Sequence, residues 1–391
     1  MKILIINDSY QEIGGVDSHI KLLIKYLQSK NNEVFSLYLS NDMDMENNKE
    51  KIINYKFNNK LQWFISENLI NFNLYNKIRK YILKINPDII HFQNNHRATK
   101  TLLLATRGYK TIQTIHDYKP VCPLTTMVIE KDNYAICAGK NKIKCYKKRC
   151  LKLQTNLFDF FIFDNNFWQK KYINEFICPS KLLMSKLKEY DYNNLIYLPN
   201  PIETLKEQET NIKSNNILFV GRLIKEKGVK YLIDGFKIAI SKNNNLRLII
   251  VGTGPEKDYL EKYCKDLNIE EFINFAGNIE PNKIDTYYKN SLAVIIPSIL
   301  MEQFGLTALE GMKNGRPIIA FNIGGLTELI ENGRNGFLIN RFDSQKLAEK
   351  IILLSNDRYL AEKMGQVGLE KMKKYEIKNY SNEMIKIYQS N

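Results

Sequence analysis

Short apolar runs alternate with amphipathic helical stretches along this chain, in two successive series separated by a polar segment. No other feature constrains the fold as much. Strand, helix and strand in close succession give a parallel sheet with right-handed crossovers. The first series opens with a strand over 2–6 and a loop holding Gly14-Gly15. Ile20, Leu23, Ile24 and Leu27 then recur at helical spacing, and a strand follows over 34–39. Further strands fall at 89–92, 111–115, 173–178 and 195–198, and Ser180 is placed to cap a helix over 181–189. The second series has strands over 217–220, 246–251, 272–275, 292–297, 317–320 and 336–339, with helices around 229–240, 259–267 and 306–314.

The pattern predicts an α/β chain of two Rossmann-like, doubly wound domains facing across a cleft. The first spans 1–202, with an insertion over about 118–155. Residues 203–215, polar and without periodicity, form a linker. The second domain spans 216–372, and 373–391 forms a C-terminal helix that crosses back to the first. Ligands of such sheets bind beyond the carboxyl ends of the strands, where loops lead into helices.

Hydrophobic residues make up 44% and charged residues 25%, enough apolar mass for a large core. No stretch approaches the ~20 apolar residues that span a bilayer. The apolar start ends at Asn7-Asp8 without a cationic leader or cleavage site, and reads as a buried strand rather than a signal peptide. The expectation is a cytoplasmic protein with reduced cysteines. Its net charge of +15 is uneven. Residues 1–200 hold 30 Lys/Arg against 18 Asp/Glu, and residues 201–391 hold 27 against 24. A field of that kind attracts anionic lipid head groups, phosphorylated substrates or nucleic acid, and its plain alternative is a solubilising face.

Four motifs could carry chemistry. The strongest runs from Pro297-Ser298 through Glu302, Phe304-Gly305-Leu306 and Glu310 to Gly315-Arg316-Pro317 and Gly324-Gly325. A helix starting at Phe304–Leu306 offers amides and a positive dipole end to a phosphate, and carboxylates nearby accept hydrogen bonds from sugar hydroxyls. The second is Gly221-Arg222-Leu223 with Lys227-Gly228, two cations able to clamp a pyrophosphate. The third is the Gly14-Gly15 loop. The fourth is His116-Asp117 at the end of a strand. Neither the dinucleotide fingerprint nor a P-loop is present. Asp42-Met43-Asp44 lies in a polar loop and is incidental.

In this order the motifs resemble glycosyltransferase family 4, the retaining transferases of the GT-B fold, over nearly the whole chain and most strongly in 216–340. The resemblance implies roles residue by residue. Glu310 holds the donor ribose and Glu302 contacts the transferred sugar. Arg222, Lys227 and the amides after Phe304 bind the diphosphate. His116 sits beside the donor sugar, and Gly277-Asn278-Ile279 borders the nucleobase. The Gly14 and Gly15 pair lets the backbone approach the donor. Gly311 follows Glu310 where alanine is commoner. The resemblance further implies no metal or other cofactor for catalysis. The expected partners are a nucleotide-sugar donor, a glycan or lipid-linked acceptor and an anionic membrane surface on the cytoplasmic side, with no nucleic acid. An epimerase or phosphorylase of the same fold, or a sugar-nucleotide binder without turnover, are the alternatives.

Four of the six cysteines, Cys122, Cys137, Cys145 and Cys150, fall within one lysine-rich stretch. Four reduced thiols so placed suggest a closed structural zinc site, although their spacings are unlike the common zinc patterns. Unrelated thiols are the alternative reading.

Overall fold

The computed structural model describes residues 1–7, 15–40, 44–55, 69–95, 97–122, 125–129, 134–137, 145, 150, 164–203 and 212–390. Among the anticipated site residues, Gly14 lies outside them. The chain divides into two compact units, one made of Met1–Pro201 with Ile377–Asn391 and the other of Ile202–Glu376.

The first unit carries β1 (Lys2–Asn7), β2 (Glu33–Ser40), β3 (Met45–Glu46), β4 (Glu50–Asn54), β5 (Ile89–Asn94), β6 (Lys110–Thr114), the small hairpin of β7 (Val128–Ile129) and β8 (Ala135–Ile136), β9 (Glu175–Cys178) and β10 (Leu195–Tyr197). Among the described residues, the main sheet runs in the order β10-β9-β6-β5-β1-β2-β4-β3, parallel throughout except for the β3–β4 pair. Ile3, Leu4, Ile5 and Ile6 of β1 are fully buried. A central parallel strand covered on both faces reads as a continuous apolar run, which is why the sequence betrays it. Helix Gly15–Ser29 buries Ile20, Leu23 and Leu27. The C-terminal helix Ile377–Gln389 buries Ile377, Tyr380, Met384 and Tyr388 in the same cluster as Ile3, Ile5, Leu23 and Ile89. Ser180 accepts a hydrogen bond from Leu183 N at 3.2 Å, capping helix Lys181–Glu189.

The second unit has β11 (Asn216–Val220), β12 (Arg247–Val251), β13 (Ile273–Gly277), β14 (Ala293–Ile296), β15 (Ile318–Phe321) and β16 (Gly336–Ile339). They form an all-parallel sheet in the order β13-β12-β11-β14-β15-β16. Strand order reverses between β11, which leads on to β12, and β14, which leads on to β15. A crevice opens at such a reversal, beyond the carboxyl ends of the two strands. The loops after β11 and β14 hold the two strongest motifs.

The β3–β4 ribbon is absent from the sequence reading. Its residues, Met45 to Asn54, are mostly polar because the ribbon forms the sheet edge, where charge deters further pairing. Ile52 and Ile53 are its buried residues.

Candidate functional site

Backbone hydrogen bonds lace together the loops at the carboxyl end of the second sheet. Gly221 N donates to Val251 O at 3.0 Å, Leu223 N to Thr253 O at 2.9 Å, and Gly252 N to Gly277 O at 2.7 Å. Ile299 N donates to Glu226 O at 2.9 Å, joining the loop after β11 to the loop after β14. Gly325 N donates to Glu302 O at 2.6 Å, which ties in the loop after β15.

Glu302 sits at the middle of this lacing. Its Oε1 is 2.5 Å from Lys227 Nζ and accepts from Ser298 Oγ at 2.6 Å. The side chains of Lys227 and Glu302 are 27% and 16% exposed, so the pair is shielded but reachable. Burial alone would raise the Glu302 carboxyl. The charge of Lys227 and the hydrogen bonds from Lys227 and Ser298 outweigh it and hold the group below the ordinary carboxylate range. Glu302 is therefore ionised at neutral pH, and its carboxylate holds the Lys227 side chain in place.

Glu310 lies on helix Leu306–Lys313. Tyr288 donates its hydroxyl to Glu310 Oε2 at 2.6 Å. Here burial wins and the carboxyl is raised: the Tyr288 hydrogen bond and the Lys313 charge offset only part of the desolvation, and Asp285 adds to it. The helix begins after Gly305, whose φ is 105°, with no side chain capping its first turn. Phe304 is buried, while Gly305 and Leu306 are half-buried. Arg222 is exposed beside the same loop. Gly277 has φ 69°, Asn278 is exposed and Ile279 packs on the core. Arg222, Lys227, Glu302, Phe304–Leu306 and Glu310 thus gather at one end of one sheet.

In the first unit His116 follows β6, with its Nε2 2.9 Å from Gln93 Oε1. Gly15 begins helix Gly15–Ser29. The four cysteines of the anticipated zinc site are all among the described residues. Among the described residues, no three His, Cys, Asp or Glu side chains are placed to hold a metal ion. Cys122, Cys137, Cys145 and Cys150 are not joined in disulfides. Burial, with Cys137, Cys150 and Cys122 nearby, pushes the Cys145 thiol up to about 11. Much of the chain between these cysteines lies outside the described residues.

Sequence reasoning missed Tyr288, Gln93 and His91. Tyr288 sits on the short helix Ile284–Lys289, which no periodic run announces. Gln93 and His91 are polar residues in a strand whose neighbours are apolar, and that interruption was the available signal.

Gly324 has φ 64°, and a Cβ there would lie 2.3 Å from Glu302 O. Gly277 also has positive φ, but a Cβ there would meet nothing within 4 Å. Gly324→Ala is expected to lose about 1–3 kcal/mol of stability and to blunt donor-induced thermal stabilisation. Gly277→Ala, which carries the backbone strain alone, is expected to lose less. Equal losses in paired melts would show that the contact with the Glu302 loop is immaterial.

Comparison with known proteins bears on family and fold. The Glycosyltransferase Family 4 model matches residues 13–204, and the Glycosyl transferases group 1 model matches 202–371. A 41.2 kDa protein in the cps region of Klebsiella pneumoniae is 30% identical over 280 residues, 68% of this chain and 69% of its own. The capsular polysaccharide biosynthesis glycosyltransferase CapM of Staphylococcus aureus is 30% identical over 176 residues, 43% of this chain and 44% of its own. The chain spans about half the length of several curated relatives it matches. The crystal structure of Anabaena HepE in complex with UDP superposes over 100% of both chains with a TM-score of 0.73 at 17% identity, a likeness of fold. That fold is GT-B. Among the described residues, no helix is long and apolar enough to cross a membrane.

Proposed function

Because the chain belongs to the group 1, family 4 glycosyltransferases, we propose that it transfers a sugar, with retention of configuration, from a nucleotide-sugar donor to a glycan or lipid-linked acceptor in cell-surface polysaccharide or glycolipid synthesis. The observation that carries this reading is the convergence of Lys227, Glu302 and the uncapped start of helix Leu306–Lys313 at the strand-order reversal. Departure of a nucleoside diphosphate leaves negative charge on its oxygens while positive character builds at the anomeric carbon. Arg222, Lys227 and the amides at Phe304–Leu306 would meet the first charge as it forms. The ionised Glu302 would face the transferred sugar, and Glu310 would accept hydrogen bonds from the ribose. His116 keeps the role that the resemblance implies. No step here calls on a metal.

The test is release of nucleoside diphosphate from UDP-, GDP- and ADP-sugars, with and without glycan acceptors. Acceptor-stimulated release from one donor supports the transferase. Donor binding without release would identify a binding protein, and isomerised donor an epimerase.

The acceptor, in this proposal, is anionic or membrane-attached. The support is the charge of residues 1–200, 30 Lys/Arg against 18 Asp/Glu, since acceptors bind that half in the family the chain resembles. Each Lys or Arg close to an anionic surface contributes ~1 kcal/mol. Co-sedimentation with anionic vesicles is expected at low salt and its loss at high salt. Equal binding to neutral vesicles would contradict it. Such a protein would work in the cytoplasm, peripherally on the inner membrane face.

A further inference from the structure

The first unit contains a run of buried polar side chains that ends on His116. His91, on β5, is fully buried. Its Nδ1 is 2.7 Å from the Tyr388 hydroxyl, on the C-terminal helix, and its Nε2 is 2.8 Å from Thr114 Oγ1. Gln93 lies two residues along β5, on the same face, and is also fully buried. Its amide nitrogen is 3.2 Å from His91 Nε2, and its amide oxygen is 2.9 Å from His116 Nε2. On the other side, the His19 ring meets His116 edge-on with centroids 5.2 Å apart, and His19 Nε2 is 3.3 Å from the Tyr380 hydroxyl. Burial lowers His91 to about 3 and His19 to about 4, so both rings are neutral near pH 7. The run therefore acts through oriented hydrogen bonds and carries no charge of its own.

An amide oxygen only accepts. With the Gln93 nitrogen turned to His91, the atom facing His116 is that oxygen, and the His116 Nε2 opposite it has to bear hydrogen. We propose that Gln93 is a positioning residue for the transfer reaction: it holds His116 in the Nε2–H form and fixes the plane of its ring. Nδ1 is then the basic nitrogen of the neutral imidazole. The inference rests on the reading of His116 as a donor-side group.

A cluster serving only to pin the C-terminal helix would need Tyr388 with His91 and Thr114, and Tyr380 with His19; neither set calls for Gln93. Gln93 joins the first set to His116, a half-buried histidine at the carboxyl end of β6. Its two amide ends are used differently, nitrogen toward a neutral ring and oxygen toward His116. That polarity selects one tautomer over the other, and a packing role would not require it.

The experiment uses the full chain labelled with nitrogen-15 at its four histidines, His19, His91, His96 and His116. Long-range proton–nitrogen spectra report each tautomer, and His116→Ala assigns the His116 signals. Turnover is read as nucleoside diphosphate release from whichever of UDP-, GDP- and ADP-glucose is fastest. The native protein is expected to show His116 as Nε2–H. Gln93→Met is expected to give a tautomer mixture and about a tenfold fall in kcat, with KM for the donor within about twofold. Gln93→Glu keeps an acceptor opposite Nε2 and is expected to keep hydrogen there, its carboxylate favouring the doubly protonated ring. An unchanged His116 spectrum in Gln93→Met, or a changed spectrum with unchanged kcat, overturns the proposal. Should Gln93→Met fail to fold, Tyr388→Phe loosens His91 instead. A smaller change of the same sign is then expected, and no change overturns the proposal. Full turnover in His116→Ala would defeat the underlying reading of His116, whatever the spectra show.

Discussion

Glu310→Gln is expected to weaken donor binding about tenfold while raising the melting temperature of the unliganded protein near neutral pH. Both effects come from one carboxyl. It is buried, its hydrogen-bond donor is the neutral Tyr288 hydroxyl at 2.6 Å, and it titrates above the ordinary carboxylate range. A group raised in the folded state binds its proton more tightly there than in the unfolded chain. Its stabilising contribution is complete below the unfolded value and is lost as pH rises through the folded one. Near neutral pH the ionised group therefore costs stability, and a neutral amide of the same shape removes that cost while still accepting from Tyr288. Binding moves the other way. An ionised acceptor makes hydrogen bonds to hydroxyls worth ~1.5–3 kcal/mol, and a neutral one makes weaker bonds. Calorimetric titration with nucleoside diphosphate and melts from about pH 5 to 8 check both halves. Undiminished affinity would remove Glu310 from the site, and a lowered melting temperature would refute the cost of burying it.

Lys227→Met should have the opposite sign on stability and a larger effect. It leaves Glu302 shielded, with the Ser298 hydroxyl still donating to it. Removing one partner of a fully buried pair costs ~3–5 kcal/mol. Lys227 and Glu302 are 27% and 16% exposed, which brings the expectation to about 2–3 kcal/mol. In the native protein the Glu302 carboxyl is lowered. The pair's contribution is thus present above the unfolded carboxylate value and is lost as pH falls through the folded one. The deficit of Lys227→Met should be largest near pH 7–8 and shrink toward pH 4–5, where its Glu302 takes up a proton. Adding Glu302→Gln to Lys227→Met should recover part of the stability and none of the donor binding. Denaturant melts at two pH values decide this, and a deficit independent of pH would mean that Lys227 acts by packing.

How much of this was legible depends on what each residue does locally. Strands β1, β11 and β14 are covered on both faces, so their sequences carry apolar runs that no loop imitates. Glu302, Glu310, Arg222 and Lys227 were legible because they flank strand ends, where the fold itself puts ligands. Tyr288 was not, because its partner Glu310 is 22 residues away and only packing brings the two together. Gln93 and His91 were hidden for a similar reason. Their partners Tyr388 and His116 are distant in sequence, and the strand pattern gave their faces but no contacts. For the four cysteines the sequence shows clustering and no more, since whether thiols share an ion depends on loop geometry that spacing does not encode.

The first unit is completed by a helix that is made after the whole of the second. Ile377–Gln389 covers Ile3, Ile5 and Ile89, yet all of Ile202–Glu376 is synthesised in between. Chains emerge from the ribosome amino end first, and domains generally fold as units in that order. Here the order is inverted. The second unit, continuous in sequence, can close while the first still shows an uncovered apolar face. Throughout that interval the nascent chain presents a surface for chaperones to hold, and a ribosome stalled before Ile377 would carry a finished second unit joined to an unfinished first.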